Sequence, residues 1–244
     1  MPTRETTGLP GYRSDRTAAY RRIRKSDQGA QYLEGGILIN GSKSGDALNT
    51  GNVDVLRPGN IMVKEASGGL YRNFIIGVSG EAYDTDAGAD TTLEVAAAVA
   101  TEIARLITVA GGAVTLSLIG PPTAAGTVAA TDIVISAASG TTLTITDIAV
   151  DKVTNSLITA HVPATSDITD GTFCFIDDGT GVKLSDVDGN RITQEYGHAL
   201  VAGSIDESQI VNWPADTSTR TYLKNLLNQS ASGYGFRFDG PAVA

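Results

Sequence analysis

Few residues of this 244-residue chain have the type and spacing for chemistry, and they are scattered. Asp186-Val187-Asp188-Gly189-Asn190 puts oxygen-bearing side chains at alternate positions, as the start of a calcium-binding loop does. Such a loop asks for glycine at its sixth place and glutamate at its twelfth, where this chain has Arg191 and Gly197. The flanks read as strands, so an Asp-Gly hairpin turn accounts for the same residues. The two histidines, His161 and His198, come without a G-x-S-x-G elbow, an HExxH pair or a second cysteine, so nothing local supports a nucleophile or a zinc site. The carboxylate pairs Asp84/Asp86, Asp177/Asp178 and Asp206/Glu207 would serve glycoside hydrolysis only if held across a cleft. Sugar clefts also want aromatic platforms, and the chain has one tryptophan. No P-loop and no G-x-G-x-x-G is present. The reading is of a protein that is not an enzyme, with no catalytic residues, no cofactor and no metal.

The elements that would position these residues are mostly strands. Aromatic residues make up 6% of the chain and hydrophobic residues 41%, with abundant Gly, Ala and Thr, which suits short strands and tight turns more than thick helical packing. Strands are predicted at 37–39, 53–56, 60–64, 70–77, 113–119, 131–136, 141–150, 157–162, 173–176, 181–184, 191–193, 198–202 and 234–238. Ser67-Gly68-Gly69 reads as the turn of a hairpin. One amphipathic helix is predicted over 91–108, capped by Thr91 or Thr92 and ended by Gly111-Gly112, and a second, shorter helix over 217–229. The single cysteine, Cys174 between Phe173 and Phe175, reads as a buried and inert thiol. No stretch reaches the roughly 18 apolar residues of a membrane span, and the N-terminal arginines lack the apolar run of a secretory signal.

Charge divides the chain. Residues 1–25 carry seven basic groups against Glu5 and Asp15, a net +5, and the remainder carries eleven basic against 25 acidic, a net -14. Residues 1–35 are polar, punctuated by Gly8, Pro10 and Gly11, and lack apolar periodicity, so they read as a flexible basic arm. Its densest stretch holds Arg13, Arg16, Tyr20, Arg21, Arg22, Arg24 and Lys25, suited to an acidic surface. The acidic body argues against a nucleic-acid footprint.

Two segments resemble the lambda-type head decoration proteins of tailed bacteriophages. One runs from Val55-Leu56-Arg57-Pro58-Gly59-Asn60-Ile61 to Gly68-Gly69-Leu70-Tyr71, followed by Ile75-Ile76-Gly77-Val78. The other is Trp213-Pro214-Ala215-Asp216, followed by the polar helix and a last strand. Pro214 suits the first turn of that helix, where no amide donor is lost, and Asp216 there suits the positive end of the helix dipole. The family's small members are much shorter than this chain. The resemblance therefore implies a mainly β protein with minor α (α+β). A small β-barrel or β-tulip-like body at 36–90 and 196–244 would follow the flexible arm at 1–35, and a helix plus β-rich module would be inserted at 91–195.

In function the resemblance implies a capsid cement protein: a homotrimer on the virion exterior, made in the bacterial host cytoplasm. Its partner would be the phage major capsid protein, held by the basic arm, with no direct nucleic acid and no membrane. The competing readings are another phage structural subunit (capsid, head-fibre or tail) and a carbohydrate-binding module.

Overall fold

The computed structural model describes residues 23–26, 29–82, 91–122, 126–146, 152–230 and 235–239. In chain order its elements are β1 (Gln31–Tyr32), β2 (Ile37–Asn40), β3 (Val55–Leu56), β4 (Ile61–Lys64), β5 (Tyr71–Asn73), β6 (Ile75–Val78), β7 (Thr92–Glu94), helix α1 (Ala97–Ala110), β8 (Val114–Gly120), β9 (Ala129–Ser139), β10 (Thr142–Ile145), β11 (Leu157–Ala160), β12 (Phe173–Ile176), β13 (Val182–Lys183), β14 (Gln194–Gly197), β15 (Ala199–Asp206), helix α2 (Thr217–Gln229) and β16 (Phe236–Asp239). The protein is mainly β with minor helix, as its composition implied. Neither helix is long and apolar enough to cross a membrane.

Two sheets carry the architecture. The larger has the order β1-β15-β12-β4-β5-β2-β14, with β16 added in parallel to β15. The smaller has the order β6-β11-β8-β9-β10-β7 and is antiparallel throughout. A short ribbon pairs β13 with β3. Alternation along the central strands of the large sheet gives it two buried faces. Phe173, Phe175, Ile61 and Val63 point to one side, beneath α2 and β16. Cys174, Ile176 and Met62 point to the other, with Leu56 and Val182 of the ribbon. Cys174 is fully buried there, and burial raises its thiol pKa well above the ordinary range, so the thiol stays protonated.

The first passage of the chain from the large sheet to the small one takes place at a single residue. Residues 70–77, predicted as one strand, split at Phe74 into β5 in the large sheet and β6 in the small one. The Phe74 amide donates to the Ile61 carbonyl (2.7 Å), and its own carbonyl accepts from the Ala160 amide (2.7 Å), so its backbone belongs to both sheets. Its ring is fully buried edge-on against Phe173, with centroids 5.1 Å apart. Beyond it, Gly77 is dictated by close approach: a Cβ there would lie 2.5 Å from a methyl of Val99 on α1.

Helix α1 starts later than its pattern suggests. Leu93 and Val95 are buried as predicted, but they alternate on β7 and the bridge that follows it, and the helix begins after Ala96, which gives no side-chain cap. Val95 and Val99 stand four apart, so the strand pattern runs into the helical one without a break. The helix ends at Gly111 as expected. Its apolar face covers one side of the small sheet through Val99, Ile103 and Leu106 against Leu116, Leu118, Ile133 and Ile135.

The predicted insertion 91–195 does not follow the structural division. Strands β12 and β13 and the first half of β14 fall within it but belong to the large sheet and its ribbon. The segment is not a separate body either. Ile75, Ile119 and Leu157 of the small sheet share one buried cluster with Phe173 and Leu223. Sequence order misses this because antiparallel pairing joins strands far apart in the chain.

Part of the predicted flexible arm, 1–35, is packed onto the body from residue 23. Ile23 is fully buried in the shared cluster. Its carbonyl accepts from the Asp206 amide, Arg24 bridges Ile205, and the Lys25 amide donates to the Ser204 carbonyl. Next, β1 pairs antiparallel with β15, and the Leu33 amide donates to Ala199. Pairing of this kind uses main-chain groups, so it leaves no trace in side-chain periodicity. Ile23→Ala should therefore destabilise the protein by roughly 2–5 kcal/mol in chemical denaturation, the range for emptying a buried Ile site. An unchanged midpoint would mean the root is not packed.

Candidate functional site

The basic residues chosen from the sequence divide at residue 23. Arg13, Arg16, Tyr20, Arg21 and Arg22 lie outside the described residues. Arg24 and Lys25 lie within them, at the edge of the large sheet. Arg24 Nε stands 2.5 Å from Asp177 Oδ2, an ion pair rather than an aligned hydrogen bond. Its guanidinium also lies 5.4 Å from the Tyr32 ring centroid, and the Tyr32 hydroxyl donates to the same Asp177 oxygen (2.6 Å). The Asp177 side chain is only 4% exposed, so this carboxylate fastens the arm root to β12. The charge of Arg24 is thus held by the body. Sequence reasoning treated Asp177 as one of a carboxylate pair and missed its role, because its partners lie about 150 residues away.

Trp213, Pro214 and Asp216 form a second group, and the structure places them differently from one another. Asp216 is the N-cap of α2 rather than a first-turn residue: its Oδ2 accepts from the Thr219 amide (2.6 Å) and hydroxyl (2.8 Å). Those hydrogen bonds, the amide first, hold its carboxyl below the usual range. Pro214 precedes the helix, and its carbonyl accepts from Arg220 Nε (2.5 Å), closing the turn onto the helix flank. The indole of Trp213 stacks on Phe238 of β16 at 5.9 Å and donates to Glu207 (3.2 Å), which also receives Lys224 of α2 (2.6 Å). The motif therefore locks helix α2 and strand β16 onto the end of β15. It is a structural clasp.

A further polar cluster was not foreseen as a unit. Glu102 of α1 has a side chain only 3% exposed and faces Arg105, whose Nε donates to it at 2.9 Å, and Arg191, 4.0 Å away. Both arginines also donate to main-chain carbonyls of the 41–54 loop: Arg105 to Ser42 and Ser44, Arg191 to Ser44 and Val53. Gly45 of that loop must be small, since a Cβ there would overlap the Glu102 carboxylate at 2.3 Å. In the same loop, Asp46 receives a two-pronged contact from Arg57, Nε at 2.6 Å and Nη2 at 2.9 Å. The signal available in sequence was only a glutamate and an arginine three apart on a predicted helix. What fixed their burial was a loop 50 residues earlier.

The other sequence candidates have structural partners. Asp186 Oδ1 accepts from the amides of Asp188 (2.9 Å) and Asn190 (2.8 Å), closing the predicted turn, in which Gly189 takes φ 84°. Asp206 accepts from the Ser208 amide and hydroxyl. His161 Nδ1 lies 3.0 Å from Asp132, and the Ser117 hydroxyl donates to that same oxygen (2.8 Å) while accepting from the Val162 amide. Serine and histidine thus share a carboxylate, whereas a nucleophile–base pair would have them facing each other. Among the described residues no three His, Cys, Asp or Glu side chains are grouped to hold a metal ion. The pair Asp84/Asp86 lies outside the described residues.

Comparison with known proteins finds no matching family model, no matching curated sequence and no matching solved structure.

Glu102→Gln should cost about 2–3 kcal/mol of folding free energy, because it leaves two half-buried guanidinium groups without their counter-charge. Asp216→Ala should cost about 1 kcal/mol. The pKa of Asp216 is lower folded than unfolded, so its contribution is complete above the ordinary carboxylate value of 3.8 and is lost as pH falls through the lowered one. Denaturation of wild type and D216A from pH 7 to pH 2 should therefore show curves that converge in acid.

Proposed function

We propose that this chain is a structural virion protein that binds the outside of an expanded phage capsid and cements neighbouring capsomers through its basic N-terminal arm. The resemblance noted in its sequence suggests the role. The observation that carries it is the anchored root: Ile23 is buried in the shared core and Arg24 is fastened to Asp177, so residues 1–22 are attached at a sheet edge. Those residues hold Arg4, Arg13, Arg16, Arg21 and Arg22 against Glu5 and Asp15. Tension on such a segment is delivered to the hydrophobic core rather than to a loose linker.

Reach and chemistry fit a clamp. Twenty-two residues span at most roughly 75 Å when extended. Arginine recognises the carboxylates of an acidic rim in two-pronged geometry. Among the described residues β1 is the terminal strand of its sheet, so its outer edge offers main-chain groups for strand addition. In this reading the large sheet with its Trp213 clasp is the β-tulip-like decoration body, the chain is a homotrimer, and three arms multiply a modest affinity by effective concentration.

The test is removal of residues 1–22 with Ile23 retained. The truncated protein should keep its melting temperature and circular dichroism and lose co-sedimentation with expanded heads that lack it. Capsid binding undiminished by the truncation would overturn the proposal. Light scattering of the full chain should give three times the chain mass, and a monomer would remove the multivalent part.

A further inference from the structure

Two half-buried arginines of the body present the same edge to a carboxylate. Arg57 offers Nε and Nη2 to Asp46, and Arg105 offers the same two atoms to Glu102. Arg72 of β5 presents no such pair. Its Nε and Nη2 are both shielded from solvent and have no hydrogen-bond partner among the described residues. Glu65 and Glu102 are the carboxylates whose fields reach it. Both are engaged elsewhere, Glu65 by Asn40 and Lys43, Glu102 by Arg105 and Arg191. A buried guanidinium without an acceptor is costly, and arginine does not relieve that cost by losing its proton.

The surroundings supply room. Arg72 lines a cleft of about 780 Å³ between the β4–β5 hairpin and the segment that follows β11. Lys43, Lys64, His161 and Thr172 share that wall, with Glu65 and Asp167 as its acids. Arg72 and Lys43 also line a second cavity of about 210 Å³ beside the end of α1. The Lys43 side chain, 42% exposed and paired with Glu65, stands on both.

We propose that Arg72 is the anchor of a binding site for an oxyanion, the carboxylate or phosphate group of a small acidic ligand entering by this cleft. The two parallel N–H groups match two oxygens of either group, and Lys43 and Lys64 supply further positive charge at the wall. The site lies on the body and makes no use of the arm, so its existence is independent of capsid attachment.

Thermal unfolding of the full chain is followed while sodium malonate and, separately, sodium phosphate are titrated, with sodium chloride holding ionic strength constant. At least one of the two should raise the melting temperature saturably, as a ligand that binds only the folded state does. A response to malonate alone assigns a carboxylate group, to phosphate alone a phosphate group, and to both a general oxyanion site. Arg72→Met should abolish the response and, without anion, melt no lower than wild type, because it removes an unpaired buried charge. Arg72→Lys keeps the charge but loses the fork, and should weaken apparent affinity at least tenfold; it decides the matter if Arg72→Met does not fold. No saturable response beyond the chloride control, or an undiminished response in the substituted proteins, would overturn the proposal.

Discussion

Glu102 lies almost out of reach of water between the guanidinium groups of Arg105 and Arg191, and the positions of three distant segments depend on it. The carboxylate belongs to α1, which packs on the small sheet. Arg191 stands just before β14, at the far edge of the large sheet. Between them the 41–54 loop threads its carbonyls onto both arginines and passes Gly45 against the carboxylate. A charge buried this deeply tolerates no loose geometry, because each unmet partner costs more than a surface ion pair ever returns. The cluster thereby fixes where the small sheet sits against the large one.

A second constraint works beside the first. At Phe74 one residue hydrogen-bonds into both sheets and buries its ring where they meet. Polar specification on one flank and apolar packing on the other leave the two sheets little freedom to slide. The same shared core receives Ile23, so the first described residue is tied to the packing of the whole.

Most polar groups that looked available for chemistry are explained by this framework. Asp177 holds the arm root, Asp206 caps a turn, Asp186 closes a hairpin and Asp216 starts a helix. These are structural contacts that fasten turns, a helix start and the arm root. Arg72 differs from Arg57 and Arg105: its Nε and Nη2 have no hydrogen-bond partner among the described residues.

The sequence by itself determined the mainly β character, the limits of α2, the Ser67-Gly69 and Asp186-Asn190 turns and the burial of Cys174. Each of these is written in local periodicity or turn chemistry, which acts over a few residues. It also showed the charge division between the N-terminal segment and the rest. Only the tertiary structure decided that the arm is fastened from Ile23 onward, that residues 70–77 change sheets at Phe74, that 173–197 belongs with the large sheet, and that Glu102 and the 41–54 loop form one cluster. Those outcomes rest on main-chain pairing and on contacts between residues far apart in the chain, and neither leaves a local pattern. The empty fork of Arg72 is of the same kind: an arginine in a strand is unremarked until the fold shows that its neighbours' carboxylates are already taken.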